Sequence, residues 1–160
     1  MTSTLRATSG FTRILLIPFD HLNADRGVLK NADPASDLVL LVQSERMVTG
    51  RPFHKERLFF LISSARHFAL ELEKVGFTVL FIEAETTIAG ITGAREAAGG
   101  LPVLYAEPSS FRQQSQLAKF GVEFVENDFF LTPRGLFKEW AGSQESFVME
   151  NFYRAQKSTS

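Results

Sequence analysis

Cysteine is absent from this chain of 160 residues. Its absence excludes disulfides, thiolate zinc sites, an iron–sulfur cluster and a cysteine nucleophile, and it fits a reducing, cytoplasmic compartment. An excess of charge is also missing, because 17 Lys and Arg residues stand against 18 Asp and Glu residues. A chain with a net charge of −1 lacks a concentrated basic surface, so we expect no strong nucleic-acid binding by this chain alone.

Long hydrophobic runs are missing as well. No apolar run reaches the ~20 residues that cross a bilayer, and the Ser- and Thr-rich start lacks the apolar core of a signal peptide. We therefore expect no membrane contact. The sequence predicts disorder for residues 1–11, one α/β domain over residues 12–128, and a separate aromatic-rich tail over residues 129–160.

Several enzyme motifs are also absent. No Gly-x-Gly-x-x-Gly follows the first apolar run, and the sequence contains neither a phosphate-binding Gly-Lys-Ser/Thr loop nor a Gly-x-Ser-x-Gly nucleophile motif. These absences disfavour dinucleotide enzymes, nucleoside-triphosphate enzymes and serine hydrolases. We therefore expect the chain not to be active as an enzyme by itself.

The chain does contain five short, nearly continuous apolar runs, which are typical of strands covered on both faces. They occupy residues 13–17, 38–42, 77–82, 102–105 and 122–125. Helical periodicity predicts helices over residues 54–75, 87–98 and 110–120, with Gly76 and Gly121 as stops. The alternation predicts an open, doubly wound parallel five-stranded sheet, a Rossmann-like or flavodoxin-like three-layer sandwich with helices between the strands. The tail either packs on this domain or leads to a further, helical domain.

Candidate binding residues follow the strands, because ligands of open α/β sheets bind outside the carboxyl ends of the strands. The three loops are residues 18–23, 43–47 and 106–111. They combine aromatic or thioether side chains with polar groups, a lining that suits a planar heterocycle. His54, at the start of the long helix, is predicted by helical angle to face the sheet, with a capping role as the alternative.

Segments of this chain resemble deoxyribodipyrimidine photolyase-related proteins over residues 13–154. The stretch from His54 to Val79 resembles a family segment with a His-Lys pair, an apolar helix and an Arg-His-Phe motif. Four further motifs occur in the family's order. They are Asp20-His21-Leu22, Glu107-Pro108 with Phe111-Arg112, Phe137-Lys138-Glu139-Trp140-Ala141, and Met149-Glu150-Asn151-Phe152-Tyr153-Arg154.

The resemblance implies the N-terminal antenna domain of a DNA-repair photolyase or cryptochrome, whose activity is that of a carbon–carbon lyase. It implies a bound 6,7-dimethyl-8-ribityllumazine or a flavin-like chromophore. In the family a helical domain holds FAD and an iron–sulfur cluster; we expect no FAD site and no cluster in this chain, so the helical domain or a separate chain would be its partner. Self-association into a homo-oligomer is left open.

The predicted chromophore-binding residues combine the family matches with residues of the three loops. They are Phe19, Asp20, His21, Glu45, Met47, His54, Lys55, Glu107 and Pro108. No catalytic and no metal-binding residue is predicted. Phe19 stands where the family turn has Gly, which favours an alternative in which the chain has lost the pocket and acts as a protein-interaction module. A third interpretation, an acid–base enzyme using Asp20, His21 and His54, ranks last.

Overall fold

The computed structural model describes residues 10–50 and 54–157 and contains one parallel five-stranded sheet in the order β3-β2-β1-β4-β5. The strands are β1 (Arg13–Leu16), β2 (Asp37–Ser44), β3 (Thr78–Ala84), β4 (Val103–Ala106) and β5 (Val122–Val125). Each lies on one of the predicted apolar runs. The strand order is that of the Rossmann-type sheet, so the predicted fold class is confirmed.

Both faces of this sheet are buried, which explains why its strands are continuously apolar. Ile14 and Leu16 of β1 enter one core, which α3 and α4 cover with Ile91 and Leu117. Leu15, between them, enters the core on the opposite face, which α2 covers. Successive side chains of a strand point to opposite faces of the sheet. When both faces are covered, both sets of side chains are buried, so polar and apolar residues do not alternate along the strand.

The helices are α1 (Glu45–Thr49), α2 (Lys55–Lys74), α3 (Thr87–Ala97), α4 (Phe111–Lys119), α5 (Arg134–Gly142) and α6 (Met149–Lys157). The second to fourth of these confirm the predicted helices. Gly76 and Gly121 follow α2 and α4 with φ values of 101° and 67°, the left-handed conformation that ends a helix and that glycine adopts without strain. None of the helices in the described ranges is long and apolar enough to cross a membrane.

Three parts of the chain differ from the sequence prediction. The connection from β1 to β2 contains no α-helix, only a 3₁₀ turn at Gly27–Leu29, so the expectation of a helix between every pair of strands is wrong there. The predicted loop after β2 begins with the strand but continues as α1, whose N-terminus is capped by the Ser44 hydroxyl. The tail, which showed only an aromatic pattern, forms α5 and α6.

The amino end of the sheet is closed by an ion pair between the first residues of β1 and β2. Arg13 Nε lies 2.7 Å from Asp37 Oδ1, and Arg13 Nη2 lies 3.0 Å from Asp37 Oδ2. The backbone N–H of Asp33 donates to the same carboxylate at 2.8 Å. Burial alone would raise the pKa of Asp37, but the hydrogen bonds from Arg13 and Asp33 outweigh burial and hold this pKa below its ordinary value.

The tail has a small aromatic cluster of its own. Phe152 is buried and lies edge-on to Phe137 and Trp140, with ring centroids at 5.1 and 5.0 Å. None of these three rings belongs to either core of the sheet. Of the segment predicted to be disordered, residues 1–9 lie outside the described residues, whereas Phe11 is half-buried against the core.

Candidate functional site

A crevice of about 280 Å³ lies at the carboxyl end of the sheet, beside the ends of β1 and β4. This is the point where the strand order reverses, because β1 is followed by β2 on one side and by β4 on the other. Its lining combines residues from the strand ends and from the adjoining helices. These are Leu16, Ile17, Pro18, Phe19, Asp20, Val42, Ser44, Met47, Arg57, Leu61, Thr87, Tyr105, Gln113 and Leu117.

Tyr105 and Gln113 form a hydrogen-bonded pair in the crevice. Tyr105 is 4% exposed, and its hydroxyl accepts a hydrogen bond from Gln113 Nε2 at 3.3 Å. Burial raises the pKa of the Tyr105 phenol far above its ordinary value, and the charge of Asp20 raises it further. Tyr105 therefore stays protonated over the whole physiological pH range and keeps a hydroxyl proton to donate.

Asp20 supplies the carboxylate of the crevice. It follows β1 in the turn at residues 18–20, its side chain is exposed, and it lines the crevice together with Tyr105. In the two ranges that the structure describes, this carboxylate has no hydrogen-bond or ion-pair partner. An accessible acceptor without a protein partner remains available to a ligand.

The apolar walls of the crevice include two of the predicted residues. Met47 lines it from α1 and is partly buried. Phe19 also lines it but is 7% exposed and packs its ring against Phe81, with centroids 5.7 Å apart. The ring that replaces the family's Gly is therefore accommodated largely in the core under α2, and the crevice persists beside it.

The predicted binding residues leave out several lining residues that carry polar groups: Ser44, which lies in the predicted loop 43–47, and Arg57, Thr87, Tyr105 and Gln113. Thr87 opens α3 just after β3, a strand end that the loop analysis passed over. Tyr105 lies within a strand, where only the direction of its side chain decides between core and crevice. Its position two residues before Glu107, near the carboxyl end of a central strand, is the one signal that the sequence offered.

His21 lies away from this crevice. Its ring stacks on Phe129 with centroids 4.2 Å apart and an angle of 14° between the planes. Its Nδ1 atom is buried and, in the part of the chain that the structure describes, has no hydrogen-bond partner. A void of about 10 Å³ beside it, which Pro18 and Phe129 also line, is too small for a ligand.

His54, Lys55 and Glu45 are on the surface, and the crevice lining does not include them. The predicted inward orientation of His54 is wrong: its side chain is 70% exposed, and its Nδ1 accepts from the backbone N–H of Glu56 at 3.4 Å. This is the capping role that the sequence left as the alternative. Since Asp20, His21 and His54 share no cavity, the structure does not assemble the three residues of the acid–base interpretation.

Glu107 and Pro108 connect the end of β4 to the tail. Glu107 Oε1 accepts from Gln114 Nε2 at 2.8 Å and from Arg134 Nη1 at 3.1 Å. Arg134 also donates to the carbonyl oxygens of Pro108 and Ser109 at 2.8 and 2.7 Å. These bonds hold the start of α5 against the loop between β4 and α4.

A second cleft, of about 370 Å³, lies on the outer face of α2, with Phe59, Ile62 and Leu70 in its lining. Phe60 is 68% exposed, and His67 lines the cleft. Arg66 also lines the cleft, and its guanidinium already donates to Glu83 at 3.0 Å and to Gln43 at 3.3 Å. Among the described residues, the guanidinium of this cleft is therefore already paired, unlike the Asp20 carboxylate of the crevice.

Two comparisons with known proteins bear on this arrangement. The model of a family described as deoxyribodipyrimidine photo-lyase-related protein matches residues 15–159. A (6-4) photolyase from Agrobacterium fabrum (strain C58 / ATCC 33970) is 29% identical over 160 aligned residues, which cover 91% of this chain and 31% of that protein. The chain thus spans less than a third of the length of the curated relative that it matches. Within residues 10–50 and 54–157, no group of three or more His, Asp or Glu side chains is placed to hold a metal ion.

Proposed function

This chain belongs to the deoxyribodipyrimidine photo-lyase-related protein family, and from that premise we propose that its crevice binds a planar, light-absorbing heterocycle of the 6,7-dimethyl-8-ribityllumazine or flavin-like class. The chain would then be a chromophore-binding module. It binds and orients the chromophore, and it breaks or forms no bond by itself.

The observation that carries this proposal is the position and lining of the crevice. It lies where the strand order reverses, and it sets the apolar side chains of Phe19, Met47 and Leu61 against the polar groups of Asp20 and Tyr105. Binding sites for small planar ligands combine a mostly apolar lining with a few oriented polar groups. The volume of about 280 Å³ fits the fused rings, and a ribityl chain would extend through the open side.

When bound, such a chromophore absorbs near-blue light and passes its excitation to a flavin held elsewhere. We propose that this flavin lies in a helical partner domain or a separate chain, in a cytoplasmic DNA-repair or cryptochrome-like system. The residues of this chain have a narrower task. Met47 and Phe19 give the rings apolar surface, while Asp20 and Tyr105 fix the polar edge.

The direct test is an absorption titration of the purified protein with 6,7-dimethyl-8-ribityllumazine from about 300 to 500 nm, paired with thermal unfolding. We expect a saturable spectral change and a rise in Tm, because a ligand that binds only the folded state stabilises it. Met47→Trp replaces the thioether at the crevice wall with a larger indole ring and should abolish both effects.

The matched control is Arg46→Trp, which adds the same ring to the exposed side of α1. It should leave the titration unchanged. If neither the lumazine nor riboflavin changes the spectrum or the Tm of the unaltered protein, the chromophore proposal is rejected, and the family assignment and the fold remain.

The C-terminal segment favours a second candidate function, a protein-interaction module. Large apolar side chains there face solvent: Leu131 is 101% exposed, Phe147 70% and Tyr153 61%. Large contiguous apolar patches are rare on monomeric proteins, so this density of exposed apolar side chains in one segment favours a partner. The partner would be an apolar surface of a helical domain, of a separate chain or of a second copy.

Sedimentation velocity at increasing protein concentration tests this candidate against self-association. We expect the Leu131→Ser and Phe147→Ser double variant to reduce any association without lowering the Tm, because both side chains are exposed. Its control is Phe60→Ser, which removes an exposed ring from α2, remote in sequence from this segment. If the protein stays monomeric and the double variant behaves as the unaltered chain, this surface does not mediate self-association.

A further inference from the structure

The hydrogen-bonding capacity of Tyr105 is only partly used. A phenol has one O–H to donate and two lone pairs to accept with. Gln113 Nε2 donates to one of the lone pairs of the Tyr105 oxygen at a distance of 3.3 Å. Throughout the described ranges the hydroxyl proton of Tyr105 has no acceptor, although the residue is 4% exposed. A buried donor without an acceptor lowers stability unless something in the crevice accepts from it.

Asp20 presents the opposite group to the same crevice. Its carboxylate can only accept hydrogen bonds, and the described residues supply it with no donor. Asp20 lies in the turn after β1, and Tyr105 lies in β4. These two strands are neighbours in the sheet, with Leu16 aligned to Tyr105. The wall of one cavity therefore carries both a donor and an acceptor.

From this juxtaposition we infer that Tyr105 and Asp20 together recognise a lactam edge, a ring carbonyl next to a ring N–H. The Tyr105 hydroxyl donates to the carbonyl, and the Asp20 carboxylate accepts from the N–H. Gln113 positions the phenol by donating to its oxygen, which turns the hydroxyl proton away from the amide and toward the crevice.

This inference rests on the proposed function and makes it more specific, because it names the part of the heterocycle that the protein reads. Site groups that hydrogen-bond a ligand discriminate strongly against an analogue that lacks the partner atom, since the protein group is then left unpaired. An analogue methylated at the ring nitrogen still presents the carbonyl to Tyr105 but offers no N–H to Asp20.

The experiment measures the affinities of 6,7-dimethyl-8-ribityllumazine and of its N3-methyl derivative for four proteins: the unaltered chain, Asp20→Ala, Tyr105→Phe and the control Gln116→Ala. Methylation should weaken binding to the unaltered chain by about 10- to 100-fold, the usual effect of losing a hydrogen bond to a charged group. In Asp20→Ala the same methylation should change the affinity by less than about threefold.

Tyr105→Phe should weaken binding of both compounds by about 5- to 10-fold and leave their ratio as in the unaltered chain, because both carry the carbonyl. Phe preserves the ring and its packing, and Gln116 is exposed on α4, so both variants should unfold at nearly the temperature of the unaltered chain. A methylation effect of equal size in the unaltered chain and in Asp20→Ala overturns the inference. Binding without any methylation effect overturns it too and leaves the proposed function standing, whereas an absence of binding by the unaltered chain overturns both.

Discussion

The two ends of the sheet carry carboxylates with opposite surroundings. At the amino end, Asp37 is 0% exposed and accepts hydrogen bonds from two nitrogens of Arg13 and from the backbone of Asp33. At the carboxyl end, Asp20 is exposed beside a crevice and, in the described ranges, has no protein partner. Asp37 is the first residue of β2, next to β1, and Asp20 lies in the turn after the last residue of β1.

The difference separates a structural acid from a binding acid. A buried carboxylate is tolerated only when its charge and lone pairs are satisfied, which Arg13 and Asp33 do for Asp37. Asp20 contributes no such bond to the fold, so its place at the reversal of the strand order is explained better by a ligand than by stability. The comparison predicts that substitution of Asp37 lowers the stability of the fold, whereas substitution of Asp20 weakens ligand binding and leaves the stability nearly unchanged.

The largest expected effect is that of Asp37→Ala. It removes the acceptor of three N–H donors and leaves the Arg13 guanidinium against the end of the sheet, so we expect the free energy of unfolding to fall by about 3 kcal/mol. This value is at the low end for a broken buried pair because the Arg13 side chain is 36% exposed. Urea denaturation followed by far-UV circular dichroism measures it.

Asp20→Ala is the matched control for this prediction. Its stability should stay within about 0.5 kcal/mol of the unaltered chain, as for exposed residues without partners. Equal losses of stability in the two variants would abolish the proposed distinction between the two ends of the sheet.

Next in size is the effect of a methyl group at Gly90, where α3 packs against β2. A Cβ there would lie 2.5 Å from Cγ1 of Val42, a residue that also lines the crevice. We expect Gly90→Ala to destabilise the fold by about 2 kcal/mol and to weaken lumazine binding, because Val42 must shift.

Gly93 lies one turn further along α3, and a Cβ there meets nothing within 4 Å. Gly93→Ala should therefore stabilise the protein by roughly 0.5–1 kcal/mol, since alanine is the better helix former. Thermal unfolding of the two variants side by side gives the signs. Opposite signs are the expected result, and two stabilised proteins would mean that α3 does not press on β2 as closely as the structure has it.

The sequence predicts the sheet well because local and global preferences agree. The five apolar runs are short and rich in Leu, Ile and Val. All but the edge strand β5 contribute to the cores on both faces of the sheet, so these four show no competing amphipathic pattern. Gly76 and Gly121 predict the helix ends correctly, because the positive φ at these positions favours glycine. The connection from β1 to β2 was mispredicted because residues 17–36 are held by tertiary bonds, such as Asp128 Oδ1 accepting from the Gly27 N–H at 2.7 Å. No periodicity encodes a bond across that sequence distance.

The site was less predictable, because the position of a loop follows from topology but the direction of a side chain does not. The rule for strand ends selected Asp20, Phe19 and Met47, which do line the crevice. It also selected Glu107, whose carboxylate is bonded to Arg134 from a helix that the sequence did not indicate. Tyr105 was not predicted because it lies within an apolar run, and the run was interpreted only as a buried strand.

A smaller effect is expected at Arg134, which connects α5 to the carboxyl end of the sheet. Arg134→Ala removes hydrogen bonds to Glu107, Pro108 and Ser109 on a partly exposed surface, so we expect a loss of about 1 kcal/mol. We also expect faster trypsin cleavage at Lys138 within α5, because release of the helix start favours local opening. Cleavage followed by mass spectrometry measures this, with Arg154→Ala in α6 as the control. Unchanged cleavage of α5 would mean that the aromatic cluster of the tail holds it without Arg134.

The smallest effect concerns acid, and it tests the amino end of the sheet alone. Burial opposes ionisation of Asp37, yet its bonds from Arg13 and Asp33 hold its pKa below the ordinary value of 3.8. A group whose pKa is lower in the folded than in the unfolded state stabilises the fold above the unfolded pKa, and this contribution is lost as the pH falls through the folded pKa. The stability difference between the unaltered chain and Asp37→Asn should therefore be constant from about pH 7 to 5 and narrow below about pH 4.

The pKa of Asp128 is lowered as well, since hydrogen bonds from Gly27 and Lys30 outweigh its burial, so acid will still destabilise Asp37→Asn, with a shallower slope. Urea midpoints across this range decide the matter, because a difference that stays constant down to about pH 3 would show that the carboxylate of Asp37 is not held ionised by Arg13.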